Sequence, residues 1–267
     1  MEFDELFCRL PYGFSSFAAV KDSLISCRAL SRLPENAETV ISVLFPYYLG
    51  EEYYRDANVS RYAVSADYHI VTKKITDEII ARLSSEFPEN KFEAFVDNSP
   101  LPEVRCAVAA GLGFLGKNNL FISEKYGSWV FLGEIVTDRF FPPYEGEIKK
   151  CLGCDRCVRE CPTGALGSGR VDTEKCLSFL SQKKGDLAPD IAAKMAEYNC
   201  VWGCDICQKV CPMNIAAEIT PIADFFATAE PSVDSGVNVE GRAFAWRGSK
   251  VIERNIEKVK EIQKARR

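Results

Sequence analysis

Residues 38–47 read ETVISVLFPY, a β-branched and apolar run that predicts a buried strand limited at its far end by Pro46. The rhythm then changes. Tyr62, Ile75, Ile79 and Leu83 recur at roughly helical spacing, which predicts one long helix over 61–87, ended by Pro88. KFEAFVD at 91–97 predicts a second strand, PLPEVRCAVAAGL at 100–112 a second helix, and SWVFLGEIVTD at 128–138 a third strand. Alternating strands and helices point to an α/β layer architecture, with the direction of the strands left open.

FFPPYEGEIKK at 140–150 reads as a linker, and beyond it the regular pattern breaks. The stretch 149–216 is rich in cysteine, and its elements are too short and too punctuated by Gly and Pro to bury much apolar area unaided. A tail follows from 217, first weakly apolar (AEPSVDSGVNVEG), then a charged helix, SKVIERNIEKVKEIQKARR, with Ile252, Ile256, Val259 and Ile262 near one face. Its basic end suits phosphate or, more simply, complements the helix dipole. The expected division is an α/β domain at 1–145, a cysteine-rich domain at 146–216 and a helical tail at 217–267.

With 47% hydrophobic and 27% charged residues among 267, the chain has the composition of a globular protein. A net charge of −5 gives no global attraction to phosphate polymers or anionic lipid, although a local patch is still open to nucleic acid. The opening MEFDELFCRLPYGFSS carries no continuous apolar run, and nowhere do 18 apolar residues follow one another. Neither an export signal nor a membrane span is expected, and the expected compartment is the cytoplasm.

Cysteine changes the picture. Nine of the twelve lie between Cys151 and Cys211, and a reducing compartment favours metal over disulfides for such a density. Cys151-x2-Cys154-x2-Cys157-x3-Cys161-Pro162 is the spacing of bacterial ferredoxins, in which three thiolates hold one cubane and the fourth reaches a second. Cys204-x2-Cys207-x3-Cys211-Pro212 is a second such half that lacks a near fourth thiol; Cys176 or Cys200 can supply it. The spacing therefore groups Cys151, Cys154, Cys157 and Cys211 around one [4Fe–4S] cluster, with Cys161, Cys204, Cys207 and that eighth thiol around the other. Structural zinc on the paired C-x2-C knuckles is the competing reading. Isolated Cys8, Cys27 and Cys106 read as inert thiols.

Three other features invite chemistry. Gly111-x-Gly113-x-x-Gly116 matches a dinucleotide fingerprint in letters, but a helix precedes it and a strand (LFIS) follows, the reverse of what the fingerprint needs. It is also one residue from a P-loop, with Asn118 where Ser or Thr is required. Asp97 ends a predicted strand, either at a ligand crevice or as a cap for the next helix. His69 is the only histidine, and a satisfied core or surface residue is its simplest reading.

Taken in order, SRYAVSADYH (60–69), FVDNSPLPE (95–103), AGLGFLGKNNLFIS (110–123), GSWVFLGEIVTD (127–138), CLGCDRCVRECPTGAL (151–166), KCLSFL (175–180) and GCDICQKVCPMN (203–214) resemble the epoxyqueuosine reductases. These are cobalamin-dependent iron–sulfur enzymes of the queuosine tRNA modification pathway, related to reductive dehalogenases, and the resemblance spans roughly 38–214. It implies that the first domain binds base-off cobalamin, that the second is a ferredoxin-like domain with two [4Fe–4S] clusters, and that Cys176 is the eighth ligand. It further implies that Asp97 donates the proton beside the cobalt. A carboxylic acid in that role must keep its proton near neutral pH, which burial against the corrin would favour. Arg61, Lys117, Phe121, Leu132 and Ser178 would line the corrin, with Cys204 and Asp205 belonging to the nearer cluster. The implied reaction reduces the epoxide of epoxyqueuosine to queuosine with two electrons and two protons. The implied partners are a tRNA anticodon stem-loop or a smaller nucleoside-like substrate and an external donor such as ferredoxin or flavodoxin, with the chain acting as a monomer. Family members are typically longer and carry a C-terminal helical-repeat module that helps hold the tRNA; GRAFAWRGSKVIERN only faintly echoes its start. The alternative is an electron-transfer protein, or a corrinoid-reducing activator, without a tRNA substrate.

Overall fold

The computed structural model describes residues 2–167 and 169–266. The chain forms two compact units, each gathered from separate stretches: Met1–Pro46, His69–Gly116 and Leu120–Cys151 in the first, and Tyr47–Tyr68, Lys117–Asn119 and Leu152–Arg267 in the second. The division expected at residue 145 thus differs from the observed one in two ways. Two segments from the amino-terminal half join the cysteine-rich part, and so does the tail.

The first unit contains α1 (Phe3–Leu6), β1 (Tyr12–Ser16), β2 (Thr39–Pro46), α2 (Tyr68–Glu86, from His69 onward), β3 (Phe92–Phe95), α3 (Glu103–Ala109), β4 (Phe114–Leu115), β5 (Phe121–Ile122) and β6 (Val130–Thr137). Four strands form one sheet in the order β1-β2-β6-β3, and every neighbouring pair is antiparallel. All eight residues of β2 are buried, as its unbroken apolar run requires. Along β6 the residues alternate between faces, so Val130, Leu132, Glu134 and Val136 share one. That face meets α3 through two apolar clusters. One joins Leu44, Ala107 and Phe121 to half-buried Val104, Val108, Leu112, Val130 and Leu132. The other joins Val20, Val40, Phe95, Leu101, Cys106 and Val136.

The expected helix over 61–87 begins only at Tyr68, and residues Arg61–Ala63 form a 3₁₀ turn instead. Tertiary contacts override periodicity there: Tyr62 accepts a 2.7 Å bond from the Trp202 indole, and Arg61 is engaged by Glu51. The buried stripe of α2 is Thr72, Thr76, Ile79 and Leu83, with Ile75 half-buried. The Thr76 hydroxyl donates to the Thr72 carbonyl at 2.6 Å, so its polar atom is satisfied inside the helix.

The second unit is helical: α4 (Arg156–Arg159), α5 (Leu177–Ser181), α6 (Pro189–Glu197), α7 (Ile206–Lys209), α8 (Ala223–Ala227) and α9 (Ser249–Ala265). Four-residue helices such as α4 and α7 bury little by themselves. The tail supplies the missing core through Phe225, Val233, Phe244, Ile252, Ile256 and Val259. Helix α9 packs on α6, and buried Asn255 donates to the carbonyls of Ser181 at 2.8 Å and Val201 at 2.7 Å. The tail is therefore an integral part of this unit. Among the described residues, no helix is long and apolar enough to cross a membrane.

Ile256, 1% exposed, is expected to lose about 2–5 kcal/mol of stability when changed to Ala, read as a lower midpoint of the chemical denaturation curve.

Candidate functional site

Strand β3 ends at Phe95, and two residues later Asp97 and Asn98 take positive φ values of 50° and 29°. Left-handed backbone at two successive non-glycine residues is costly, and the neighbourhood must hold it. His69, in the first turn of α2, supplies part of that hold: its Nε2 lies 2.9 Å from Asp97 Oδ2. Both side chains remain about half exposed, at 45% for His69 and 56% for Asp97. The rule that ligands sit at the carboxyl ends of parallel strands does not apply to this antiparallel sheet. The pairing of His69 with Asp97 was missed from sequence, because 28 positions separate the two and only the fold closes that gap.

Behind Asp97 stand two more carboxyls. Glu103 opens α3, and its carboxylate accepts a hydrogen bond from the Asp97 amide. Burial, then the charge of Asp97, push Glu103 up to about 7 against the opposing pull of that amide and of His69. Glu134 lies in the middle of β6, fully buried, paired in register with Ser42 on one side and Phe95 on the other. Neither of its oxygens has a hydrogen-bond partner among the described residues, and Glu103 Oε1 also lacks one. Burial first, and Glu103 second, hold the Glu134 carboxyl well above the ordinary value. The sequence carried one signal for this group: an acid in the interior of an apolar strand, in FLGEIV.

In the second unit the hub is Asp205, 6% exposed. It accepts a short hydrogen bond from the Ser60 hydroxyl, a 2.7 Å bond from the Arg61 backbone amide and a 3.2 Å bond from Gln208 Nε2. The segment around Ser60 runs beside 201–203, with Ser60 N–H donating to the Trp202 carbonyl at 2.8 Å. Gly203 has φ 76°, and a Cβ there would collide with Ser60 Cβ, so the close approach requires glycine. Arg61 is engaged by Glu51 at 2.8 Å and lies against the rings of Tyr48 and Tyr54, at 5.3 Å and 4.6 Å. A cavity of about 300 Å³ borders Ser60, Cys200, Cys204, Asp205 and Lys209.

The two cysteine runs fold alike. Cys157 rides on α4 and Cys207 on α7, each helix preceded by a Cys-Asp pair and followed by a Cys-Pro, and the two helices are in contact. No disulfide links any of the twelve cysteines. Burial pushes the Cys204 thiol up to about 12, with Asp205, Cys176 and Cys161 adding to the effect. Burial raises Cys207 too, with Cys204, Asp205, Cys176 and Cys161 behind it. The fold thus brings Cys161, Cys176, Cys204 and Cys207 within electrostatic reach of one another. Buried thiols without a cation favour their protonated forms, and thiol donors suit cationic iron, whose charge lets them ionise. At Cys161 burial is outweighed by the amides of Thr163, Ala165 and Leu166 and the Thr163 hydroxyl, which lower its value. Cys200, also within electrostatic reach of Cys204, donates to the Gly203 carbonyl at 2.9 Å. Cys154, Cys157 and Cys211 lie in the second unit, and Cys151 is the last residue of the first.

The remaining expected contacts fall in separate places. Phe121 and Leu132 share an apolar cluster in the first unit with half-buried Val108, Leu112 and Val130, where α3 packs on the sheet. In the second unit Lys117 forms an ion pair with Asp155, and Ser178 is half-buried on α5. The glycine loop runs from α3 into the β4–β5 hairpin. A Cβ on Gly113 would strike the Ile122 carbonyl, so that glycine serves chain packing.

Residues 28–98 match the family described as "Epoxyqueuosine reductase QueG, DUF1730", and residues 150–214 match "4Fe-4S double cluster binding domain". An epoxyqueuosine reductase of Lactococcus garvieae (strain Lg2) is 34% identical over 244 residues, covering 83% of this chain and 68% of its own length. One from Gloeobacter violaceus is 37% identical over 207 residues, covering 74% and 64%. The chain thus spans about two thirds of the length of these curated relatives. A crystal structure of epoxyqueuosine reductase with an epoxyqueuosine-modified tRNA-Tyr stem loop shares the fold, with a TM-score of 0.78 and 24% identity over 98% of this chain and 81% of that one.

Two outcomes are expected from the site's carboxyls. Asp205→Ala strands the Ser60 hydroxyl and the Arg61 amide and is expected to cost about 1–3 kcal/mol in equilibrium unfolding. Glu134 keeps its proton in the folded protein after an unfolded chain has released it, so wild-type stability is expected to fall as pH rises above the ordinary carboxyl value of 4.5. Glu134→Gln lacks that proton, and its stability relative to wild type is expected to improve between about pH 5 and about pH 7 in denaturant titrations.

Proposed function

The chain belongs to the epoxyqueuosine reductase family, a family of oxidoreductases, and from that premise we propose that it reduces the epoxide of epoxyqueuosine in tRNA to queuosine, using cobalamin and two [4Fe–4S] clusters. The observation that carries this reading is Asp97: an accessible carboxyl on a strained turn, gripped by His69, in a chain that also holds a double-cluster domain. Cys151, Cys154, Cys157 and Cys211 would hold one cluster, and Cys161, Cys176, Cys204 and Cys207 the other. The proximity of Cys161 and Cys176 to both Cys204 and Cys207 supports that grouping. Phe121, Leu132, Arg61, Lys117 and Ser178, with Cys204 and Asp205 at the nearer cluster, are the proposed corrin contacts.

When bound, these groups supply electrons and a reducible cobalt. The chain supplies the proton chemistry. Asp97 gives a proton to the epoxide oxygen as a carbon–oxygen bond breaks, and His69 Nε2 orients its carboxyl toward that task. The overall change consumes two electrons and two protons and releases the oxygen as water. An external ferredoxin or flavodoxin is the proposed donor. A tRNA stem-loop is the proposed substrate, supported by the fold neighbour that binds one. Free thiols and a tRNA substrate both suit the cytoplasm.

Anaerobically reconstituted protein is expected to hold about eight iron per chain and to show a base-off cobalamin spectrum. Asp97→Ala is expected to keep both while losing at least about a hundredfold in turnover of epoxyqueuosine-containing stem-loops, measured by mass spectrometry. Full iron without a cobalamin spectrum in the wild type would favour an electron carrier instead.

A further inference from the structure

The chain buries two of its three tryptophans, Trp129 at 1% and Trp202 at 0%, and leaves the third, Trp246, 62% exposed. Trp246 sits in the 3₁₀ turn Ala245–Arg247, which leads into α9. The turn is held from both sides, because Ala243 and Phe244 before it and Val251 and Ile252 after it are buried. Two backbone bonds close it: the Arg247 amide donates to the Phe244 carbonyl at 3.2 Å, and the Gly248 amide to the Ala245 carbonyl at 2.9 Å. The indole is therefore presented to solvent by a fixed frame.

An isolated exposed apolar side chain needs no explanation, but this one has charged company. The Arg247 guanidinium carbon lies 3.8 Å from the centre of the indole ring. Arg242, just ahead of the turn, is spent on the interior, where it pairs with Glu230 at 3.0 Å and donates to the carbonyls of Ala63 at 3.2 Å and Val64 at 2.9 Å. Arg247 differs. Its Nε has no hydrogen-bond partner, and among the described residues its guanidinium pairs with no carboxylate. Lys250, exposed in the first turn of α9, has no carboxylate partner among them either. A chain of net charge −5 thus keeps two uncompensated cations on the same short stretch as its exposed indole.

A π face, a guanidinium stacked on it and unpaired cations nearby match an unpaired nucleotide, whose base stacks on the ring while its phosphates neutralise the cations. An acidic peptide would satisfy the cations and leave the indole unused, and an apolar partner would strand the cations. We propose that Trp246, with Arg247 and Lys250, is a stacking platform for an unpaired nucleotide of the tRNA anticodon loop. The inference rests on the tRNA reading above. The platform holds RNA and makes or breaks no bond. Because paired bases offer no free face, it favours loop over duplex.

The test measures binding of fluorescently labelled RNA to the reconstituted holoenzyme by anisotropy, with a synthetic anticodon stem-loop and a blunt RNA duplex of equal charge as probes. Trp246→Ala is expected to weaken stem-loop binding about tenfold or more and to leave duplex binding unchanged, whereas Trp246→Phe keeps most of the stem-loop affinity. Arg247→Gln and Lys250→Gln are each expected to lower the slope of stem-loop affinity against salt by about one. A stem-loop carrying 5-bromouridine in its loop is expected to photo-crosslink to Trp246. Unchanged iron content and cobalamin spectrum would show that the variants are folded. Wild-type stem-loop affinity in Trp246→Ala, an equal loss for loop and duplex, crosslinks that avoid Trp246, or a Trp246-dependent dimer in sedimentation would each overturn the platform and leave the tRNA reading standing. A wild type that binds neither RNA would overturn both.

Discussion

Asp205 is held out of water by a hydroxyl, a backbone amide and a side-chain amide, and the first two of these bonds fasten the strip around Ser60 to the strip carrying Cys204. A buried carboxylate tolerates little displacement of its donors, because each lost bond leaves a charge facing apolar surroundings. The contact therefore sets the path of two chain segments that are 144 residues apart, and with it the place of Cys204 and the requirement for Gly203. The short helices on either side have too little apolar surface to achieve this alone.

Glu134 is the opposite case in the other unit. It too has left water, but no donor meets it, and the cheapest state open to it is the neutral acid. One buried carboxyl is thus a structural clamp and the other an unpartnered acid, and the difference lies entirely in what surrounds them. Asp205 is the chain neighbour of Cys204 in one unit, and Glu134 lies behind the Asp97 turn in the other.

The cysteine-rich segment gains its packing from the tail, which contributes apolar side chains that the segment lacks. Phe244 and Ile252, both 0% exposed, belong to residues that looked peripheral in the sequence. Their burial explains why a charged, weakly apolar tail folds as part of the second unit.

The cysteine spacing, the strand-forming runs and the order of the motifs were legible without coordinates, because each is carried by residues close together in the chain and by short-range rules of reach and periodicity. So was the unsuitability of the glycine loop for a dinucleotide, since it depends only on which element precedes it. The sequence by itself therefore determined the family and the double-cluster domain. Only the tertiary structure decided that the sheet is antiparallel, that residues 61–67 leave the helix, and that His69 meets Asp97. It also decided which carboxyls are paired and which are not. Those outcomes depend on contacts between distant segments and on the loss of solvent around particular atoms, and neither is written in any local stretch of residues.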